Sequence, residues 1–222
     1  YDGDEDVDMV LGDRSGEIMF YENTAGKGNP VSFEYDSVSF PQVKGGFADP
    51  CLADLDGDGM TDILMGQFFG KLTYYRNTGT VGQPAFQMVK DTFGGIFFDK
   101  GDHYTSPAVA DMDTNGYLDL VLGADTWYRS AGLDVGHLYF YKDITKNLDS
   151  TYKSIDTLIY DSVFKHVVTR SLGLKLRPAI ARLDRDSLPD IMVGNKRGGL
   201  QMFTTFFDTA RMNNAIPDMP LN

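Results

Sequence analysis

Four aspartates lie within the nine residues of "DLDGDGMTD", and their spacing is the feature of the sequence best suited to chemistry. The acids are Asp54, Asp56, Asp58 and Asp62. Carboxylates this close repel one another and take up protons unless a cation compensates their charge. Oxygen ligands at alternate positions suit Ca²⁺, which takes roughly six to eight oxygens. The stretch therefore predicts a calcium-binding loop, with the main-chain carbonyl of Met60 as a further ligand.

Two other calcium-loop patterns do not fit this sequence. An EF-hand needs an acid at about position 12 of its loop, where this sequence has Met65 within an apolar run. A dockerin-type loop fails for the same reason. The remaining alternative is a turn held only by Asx-type hydrogen bonds, without a metal. The pattern favours a calcium site between two strands over that turn.

The acidic loop recurs along the chain. Aligned on its last aspartate, it has four copies at intervals of 54, 57 and 71 residues. The last aspartates are Asp8, Asp62, Asp119 and Asp190. A proline lies four residues before the loop in three copies, at Pro50, Pro107 and Pro178. A glycine follows the last aspartate by eight residues in three copies, and by 17 in the third, which therefore carries a nine-residue insertion.

The copies differ in their predicted ligands. The third holds Asp111, Asp113, Asn115 and Asp119, with the Tyr117 carbonyl at the position of Met60, and predicts a second site. The first holds Asp2, Asp4 and Asp8, with Asp6 at the carbonyl position. Its leading ligand would precede Tyr1, so its occupancy stays open.

The fourth copy has Arg182 in place of the leading aspartate, before Asp184, Asp186 and Asp190. A guanidinium there can neutralise the carboxylates in place of an ion, so this loop is predicted to be free of metal. The sequence thus predicts two or three structural Ca²⁺ sites.

Each copy also predicts short strands. The runs "DILMG", "DLVLG" and "DIMVG" are typical of strands buried on both faces, and "KLTYYRN" and "HLYFYKD" are rich in aromatic residues. Helical periodicity is weak and confined to "FFDTARMNNA". About four strands per repeat predict an all-β fold of β-propeller blades, with a linear β-solenoid as the lesser option. The predicted units are residues 1–46, 47–103, 104–174 and 175–206, followed by an extension or linker over 207–222.

The sequence resembles the FG-GAP/VCBS repeat family of integrin α-subunits and many secreted bacterial proteins. The resemblance covers about residues 1–206 and rests on the acidic loop, the preceding proline and the following "GKLTYY" strand. It implies a calcium-binding propeller that is part of a ring of about seven blades, or a four-bladed closure, within a larger polypeptide. It also implies a secreted or cell-surface location, where millimolar calcium fills loops with a Kd of roughly 10⁻⁴–10⁻³ M.

The composition of the chain limits which classes of binding partner it can have. The net charge of −12 argues against nucleic acid, since phosphate binding needs clustered Lys and Arg. No apolar run reaches the roughly 18 residues of a membrane span. The single cysteine, Cys51, lies among small apolar residues and is interpreted as a buried structural thiol.

The insertion in the third copy holds Trp127, Tyr128 and Arg129, residue types enriched at binding hot spots. They are candidate contacts for a protein or glycan ligand; the favoured alternative is that Trp127 only covers the edge of a blade. The sequence shows no catalytic constellation. We therefore expect a non-catalytic adhesion or recognition module; the alternative is an accessory or catalytic propeller of a secreted polysaccharide-degrading enzyme.

Overall fold

A computed structural model describes residues 5–36, 40, 46–98, 102–128, 133–155, 159–161, 166–168, 172–183 and 188–205. Within these ranges the chain forms fifteen strands and one 3₁₀ helix, Phe93–Gly95, which confirms the all-β class. Some predicted features lie outside the described residues: Asp2, Asp4, Arg129, Asp184, Asp186, the "FFDTARMNNA" stretch and the 207–222 extension.

The strands form four small antiparallel sheets. The first has the order β1 (Met9–Gly12), β2 (Ile18–Asn23), β3 (Phe33–Asp36). The second runs β4 (Asp49–Ala53), β5 (Asp62–Gly66), β6 (Leu72–Asn77), β7 (Phe86–Lys90). The third comprises β8 (Asp102–Ala110), β9 (Asp119–Tyr128) and β10 (Leu133–Tyr141), with β9 in the middle.

The fourth sheet departs from the chain order of the repeats. It contains β11 (Ile159–Asp161), β12 (His166–Val168), β13 (Arg177–Ala181), β14 (Asp190–Gly194) and β15 (Leu200–Thr205). The strand order is β12-β11-β15-β14-β13. Strands β11 and β12 thus pair into the fourth sheet, although they lie within the predicted unit 104–174. The physical reason is that β15 offers β11 a backbone edge, and Ile159 and Tyr160 pair with Thr205 and Thr204 there.

Neighbouring sheets share their apolar cores, which explains why the strand after each acidic loop is apolar on both faces. All five residues of β5 are buried. On one side Ile63 and Met65 pack with Ile18 of the first sheet. On the other, Leu64 packs with Leu120 and Leu122 of the third sheet. A further core joins the third and fourth sheets through Val121, Phe140, Ile191, Val193 and Phe203.

The repeat glycine and proline meet at the contact between successive sheets. A Cβ atom on Gly66, at the end of β5, would lie 2.2 Å from the main-chain oxygen of Thr105 and 2.7 Å from Cδ of Pro107. Equivalent close approaches join Gly12 to Ala48 and Pro50, and Gly123 to Leu176 and Pro178. Each of these glycines therefore packs directly against the backbone at, or just before, the proline-bearing strand of the next sheet.

The three proline-bearing strands lie side by side. Strand β8 contacts both β4 and β13. An ion pair joins the outer two, with Arg177 Nε 2.9 Å from Asp49 Oδ2. Three of the four sheets thus bring their proline-bearing strands to one region of the molecule.

The described part of the chain contains no helix with the length and apolar character needed to cross a bilayer.

Candidate metal centres

The second acidic loop joins β4 to β5 and gathers three carboxylates. Asp54, Asp56 and Asp58 each offer an oxygen, and these oxygens lie within 4.8 Å of one another. Three hard oxygen donors in so small a volume match the ligand chemistry of Ca²⁺. This loop therefore brings together three of its four predicted side-chain ligands.

Main-chain amides orient the loop carboxylates. Asp54 accepts hydrogen bonds from the Gly57 and Gly59 N–H groups at 2.8 and 2.9 Å. Asp58 accepts from the Met60 N–H at 2.9 Å. Gly57 and Gly59 have φ of +78° and +86°, a region that glycine reaches without steric cost. Asx-type turns and a carboxylate cluster therefore coexist, and the turns hold the acids in place. The carbonyl ligand from Met60 stays a prediction.

The third loop joins β8 to β9 and gathers Asp111, Asp113 and Asp119, whose oxygens also lie within 4.8 Å of one another. Asp111 accepts hydrogen bonds from the Asn115 and Gly116 N–H groups at 3.0 and 2.8 Å. Oδ1 of Asp113 is buried and has no hydrogen-bond donor within the described ranges. A buried carboxylate oxygen without a donor is costly, and a bound cation would compensate it.

Asn115 is committed to local hydrogen bonds. Its Oδ1 accepts from the Tyr117 N–H at 2.8 Å, and its Nδ2 donates to Asp143 Oδ1 at 2.7 Å. Its predicted role as a metal ligand, and that of the Tyr117 carbonyl, remain predictions.

The last aspartate of each loop ties that loop to the rest of its sheet. Asp62 is fully buried; its Oδ1 accepts from the Asn77 N–H at 2.8 Å, and its Oδ2 accepts from the Leu55 N–H and the Tyr74 hydroxyl. Equivalent bonds reach Asp119 from the Met112 and Asp143 N–H groups, Asp8 from the Asn23 N–H and Asp190 from the Leu183 N–H. The predicted ligand Asp62 thus stands outside the three-carboxylate group, whereas Asp119 belongs to its own.

The pKa values of the loop acids are shifted upward for the buried ones and downward for an exposed one. Burial raises the pKa of Asp62, against the effect of its hydrogen bonds. Burial raises the pKa of Asp119 to about 6, with smaller contributions from the charges of Asp113 and Asp143. The Met60 N–H and the Arg76 guanidinium lower the pKa of the exposed Asp58. The third loop thus holds its negative charge at a higher electrostatic cost, which a cation would relieve.

Comparison with known protein families supports the predicted repeats. The sequence profile of the FG-GAP-like repeat matches residues 1–65 and 54–122, which together span more than half of the chain. The chain belongs to the FG-GAP-like repeat family. Such repeats are typical of extracellular proteins. Searches of curated proteins and of solved structures find no match.

The first and fourth FG-GAP-like loops are described only in part. Asp6 accepts a hydrogen bond from the Gly26 N–H at 3.0 Å. In the fourth loop Arg182 is exposed, while two of its three acids lie outside the described residues. The metal-free state of that loop stays a prediction.

Sequence reasoning missed two basic residues at the loops. Arg76 of β6 contacts Asp56 and Asp58, and Lys142, next to β10, contacts Asp113. A signal for them was available, because each lies six residues after the repeat glycine that follows the last aspartate, Gly70 or Gly136.

An aromatic cluster on the opposite ends of the strands was also missed. The rings of Phe47 and Tyr104 meet edge to face at 4.7 Å, and Phe68 lies 5.0 Å from Tyr104. Lys175 Nζ lies 5.2 Å from the Tyr104 ring and 5.8 Å from the Phe47 ring. Phe47, Tyr104 and Lys175 each stand three residues before a repeat proline, so equivalent positions of three repeats converge here. The neighbouring Phe69 is 54% exposed.

The backbone of two predicted ligand contacts, Trp127 and Tyr128, lies close to this cluster along the third sheet. Trp127 and Tyr128 end β9, and their backbone continues a hairpin into β10. Trp127 pairs with Asp102, and Tyr104 pairs with Asp125, two residues before Trp127. The roles of Trp127, Tyr128 and Arg129 stay predictions.

Proposed function

We propose that this FG-GAP-like chain is a calcium-binding, non-catalytic recognition module of an extracellular or cell-surface β-propeller. The single observation that carries the calcium assignment is the recurrence of three carboxylates within 4.8 Å in two equivalent loops. The buried Oδ1 of Asp113, which lacks a donor within the described ranges, adds to it. Donors made of oxygen alone favour Ca²⁺ over softer metals.

The ions would be structural. Asp54, Asp56 and Asp58 would hold one, and Asp111, Asp113 and Asp119 the other. A bound Ca²⁺ supplies positive charge and coordination to carboxylates that otherwise repel one another. Since each loop joins the first two strands of its sheet, filling it would stabilise the folded state in proportion to occupancy.

The propeller assignment is supported by how the sheets pack. Successive sheets stack face to face over shared cores. The proline-bearing strands β4, β8 and β13 of three sheets lie side by side, as strands around a propeller axis do. We propose that the sheets are blades of one ring.

A recognition role is supported by the aromatic cluster. Exposed Phe69, the edge-to-face rings of Phe68 and Tyr104 beside it and the ammonium group of Lys175 bring apolar surface and positive charge together. Aromatic and basic side chains of this kind anchor protein and glycan ligands. We propose a protein or a glycan as the partner, bound at the end of the sheets that carries this cluster.

Thermal unfolding in calcium and in EDTA tests the calcium assignment. Calcium at 100 times its Kd stabilises a folded site by about 2.7 kcal/mol. Each kcal/mol raises the Tm of a domain of this size by about 2–4 °C, so two filled loops predict an increase of roughly 10–20 °C. Magnesium at the same concentration controls for ionic strength. A Tm that is equal in calcium and EDTA would refute the assignment.

Glycan-array and protein-pulldown binding test the recognition role separately. Phe69→Ala and Trp127→Ala should abolish binding without changing the calcium-dependent Tm. Tyr117→Ala, an exposed aromatic residue at the third calcium loop, is the matched control and should bind as the wild type does.

A further inference from the structure

We propose that Arg76 and Lys142 are displaceable internal counter-ions that occupy the acidic loops when calcium is low and must move away when Ca²⁺ binds. They would set the calcium affinity of the two loops and reduce the net negative charge of each loop while no ion is bound. This inference rests on the proposed calcium function, since it concerns the same two loops.

Arg76 sits directly on the second loop. Its Nε lies 2.6 Å from Asp56 Oδ2, and its Nη2 donates to Asp58 Oδ2 at 3.0 Å. The guanidinium therefore bridges two of the three carboxylates that would hold the ion. It occupies oxygen lone pairs that a metal would need.

Lys142 holds the same place in the third loop. Its Nζ lies 2.6 Å from Asp113 Oδ2. Arginine and lysine differ in shape and in hydrogen-bonding geometry, yet both place a positive charge on the carboxylates of their loop. The shared property is the charge, which points to an electrostatic role. The equivalent positions of the first and fourth repeats are Glu22 and Thr204, so the basic residue accompanies the two loops whose carboxylates cluster within the described residues.

Competition with calcium follows from the distances. A divalent ion among the loop oxygens would lie within a few ångströms of the basic group and would repel it. Both side chains can leave, because Arg76 is 46% and Lys142 36% exposed, and each has a flexible stem. Binding therefore costs the ion pair, which weakens the apparent calcium affinity.

Isothermal titration calorimetry with CaCl₂ alone, on the whole chain, tests the competition. An exposed ion pair of this kind contributes little, which corresponds to an about two- to fivefold change in an equilibrium constant. Arg76→Gln should tighten the Kd of one site by that factor, and Arg76→Gln/Lys142→Gln should tighten both. Lys90→Gln is the matched control. It removes one positive charge from the pair with Asp149, away from the loops, and should leave the calcium Kd unchanged.

Melting in EDTA and in calcium supplies a second readout of opposite sign. In EDTA the Arg76→Gln variant should melt below the wild type, because its three loop carboxylates have lost their counter-ion. In saturating calcium the variant should equal or exceed the wild type. A purely structural role for Arg76 would instead lower the Tm in both buffers and would overturn the inference.

The outcomes separate this inference from the proposed function. Calcium binding by the wild type with an unchanged or weaker Kd in Arg76→Gln overturns the inference and leaves the calcium function standing. Binding by the double variant but not by the wild type supports the inference in its strongest form. Absence of binding in both refutes the calcium function and this inference with it.

Discussion

At the scale of single residues, the acids of the second repeat have two different roles. Asp54, Asp56 and Asp58 form an open cluster next to solvent and to Arg76. Asp62 is buried and accepts three hydrogen bonds from the surrounding strand and loop. This motif thus contains both a carboxylate cluster, which we propose binds a cation, and a hydrogen-bonded anchor, and the two roles can be separated by mutation.

Asp62→Asn should destabilise the fold by about 2–3 kcal/mol. Each oxygen of Asp62 accepts a main-chain N–H, so the amide nitrogen of asparagine would face a donor in either orientation. Urea unfolding in EDTA measures this loss.

Asp58→Asn is the comparison, since its carboxylate lies at the surface. It should weaken calcium binding while changing the urea midpoint in EDTA far less than Asp62→Asn. Loss of calcium binding in Asp62→Asn without loss of stability would instead make Asp62 a metal ligand.

At the scale of elements, the glycine four residues after the last aspartate lies where the next sheet docks in three of the repeats. Strand β5 ends against the backbone before Pro107, where a side chain has no room. Gly194 at the equivalent position of β14 has only Leu200 Cδ2 near its would-be Cβ, at 3.7 Å. The repeat therefore offers a matched pair of positions for testing the docking.

Gly66→Ala should cost about 3 kcal/mol, because its methyl group would overlap the main-chain oxygen of Thr105 and force the sheets apart. Gly194→Ala should be neutral or stabilise by about 0.5 kcal/mol, as alanine lowers the entropy of the unfolded chain. Chemical denaturation of both variants compares them. Equal effects would show that the glycine acts through strand propensity and not through sheet docking.

At the scale of the whole molecule, the ion pair between Asp49 and Arg177 links the second and fourth sheets across β8. Burial raises the pKa of Asp49, while Arg177 and a hydrogen bond from Ser106 act in the opposite direction. A carboxyl whose pKa is raised on folding lowers stability as pH rises above its unfolded value of about 3.8, until the folded group has ionised. The arginine limits this loss.

Arg177→Gln should therefore destabilise the protein more at pH 8 than at pH 4.5, by about 1–3 kcal/mol at the higher pH. At the lower pH more of the Asp49 carboxyl is protonated and needs no cation. Urea unfolding at both values measures the difference, and adding Asp49→Asn should recover most of the stability. A penalty that is independent of pH would mean that Arg177 contributes through packing alone.

The spacing of acids, glycines and prolines was enough to predict the repeated strands, the acidic loops, the all-β class and the family. These features are local, because strand pattern and loop chemistry depend on residues a few positions apart. The spacing did not show that Asp62 is a buried hydrogen-bond acceptor while its neighbours form the carboxylate cluster, because this division depends on which oxygens become buried.

The contacts between residues distant in the sequence became visible only in the folded molecule. Arg76 reaches Asp56 from the next strand but one, Gly66 rests on the backbone of Thr105, and β11 joins the sheet of β15. Phe47, Tyr104 and Lys175 converge from three repeats. The physical reason is that these contacts depend on how whole sheets stack, and that stacking is set by cores contributed by several repeats at once.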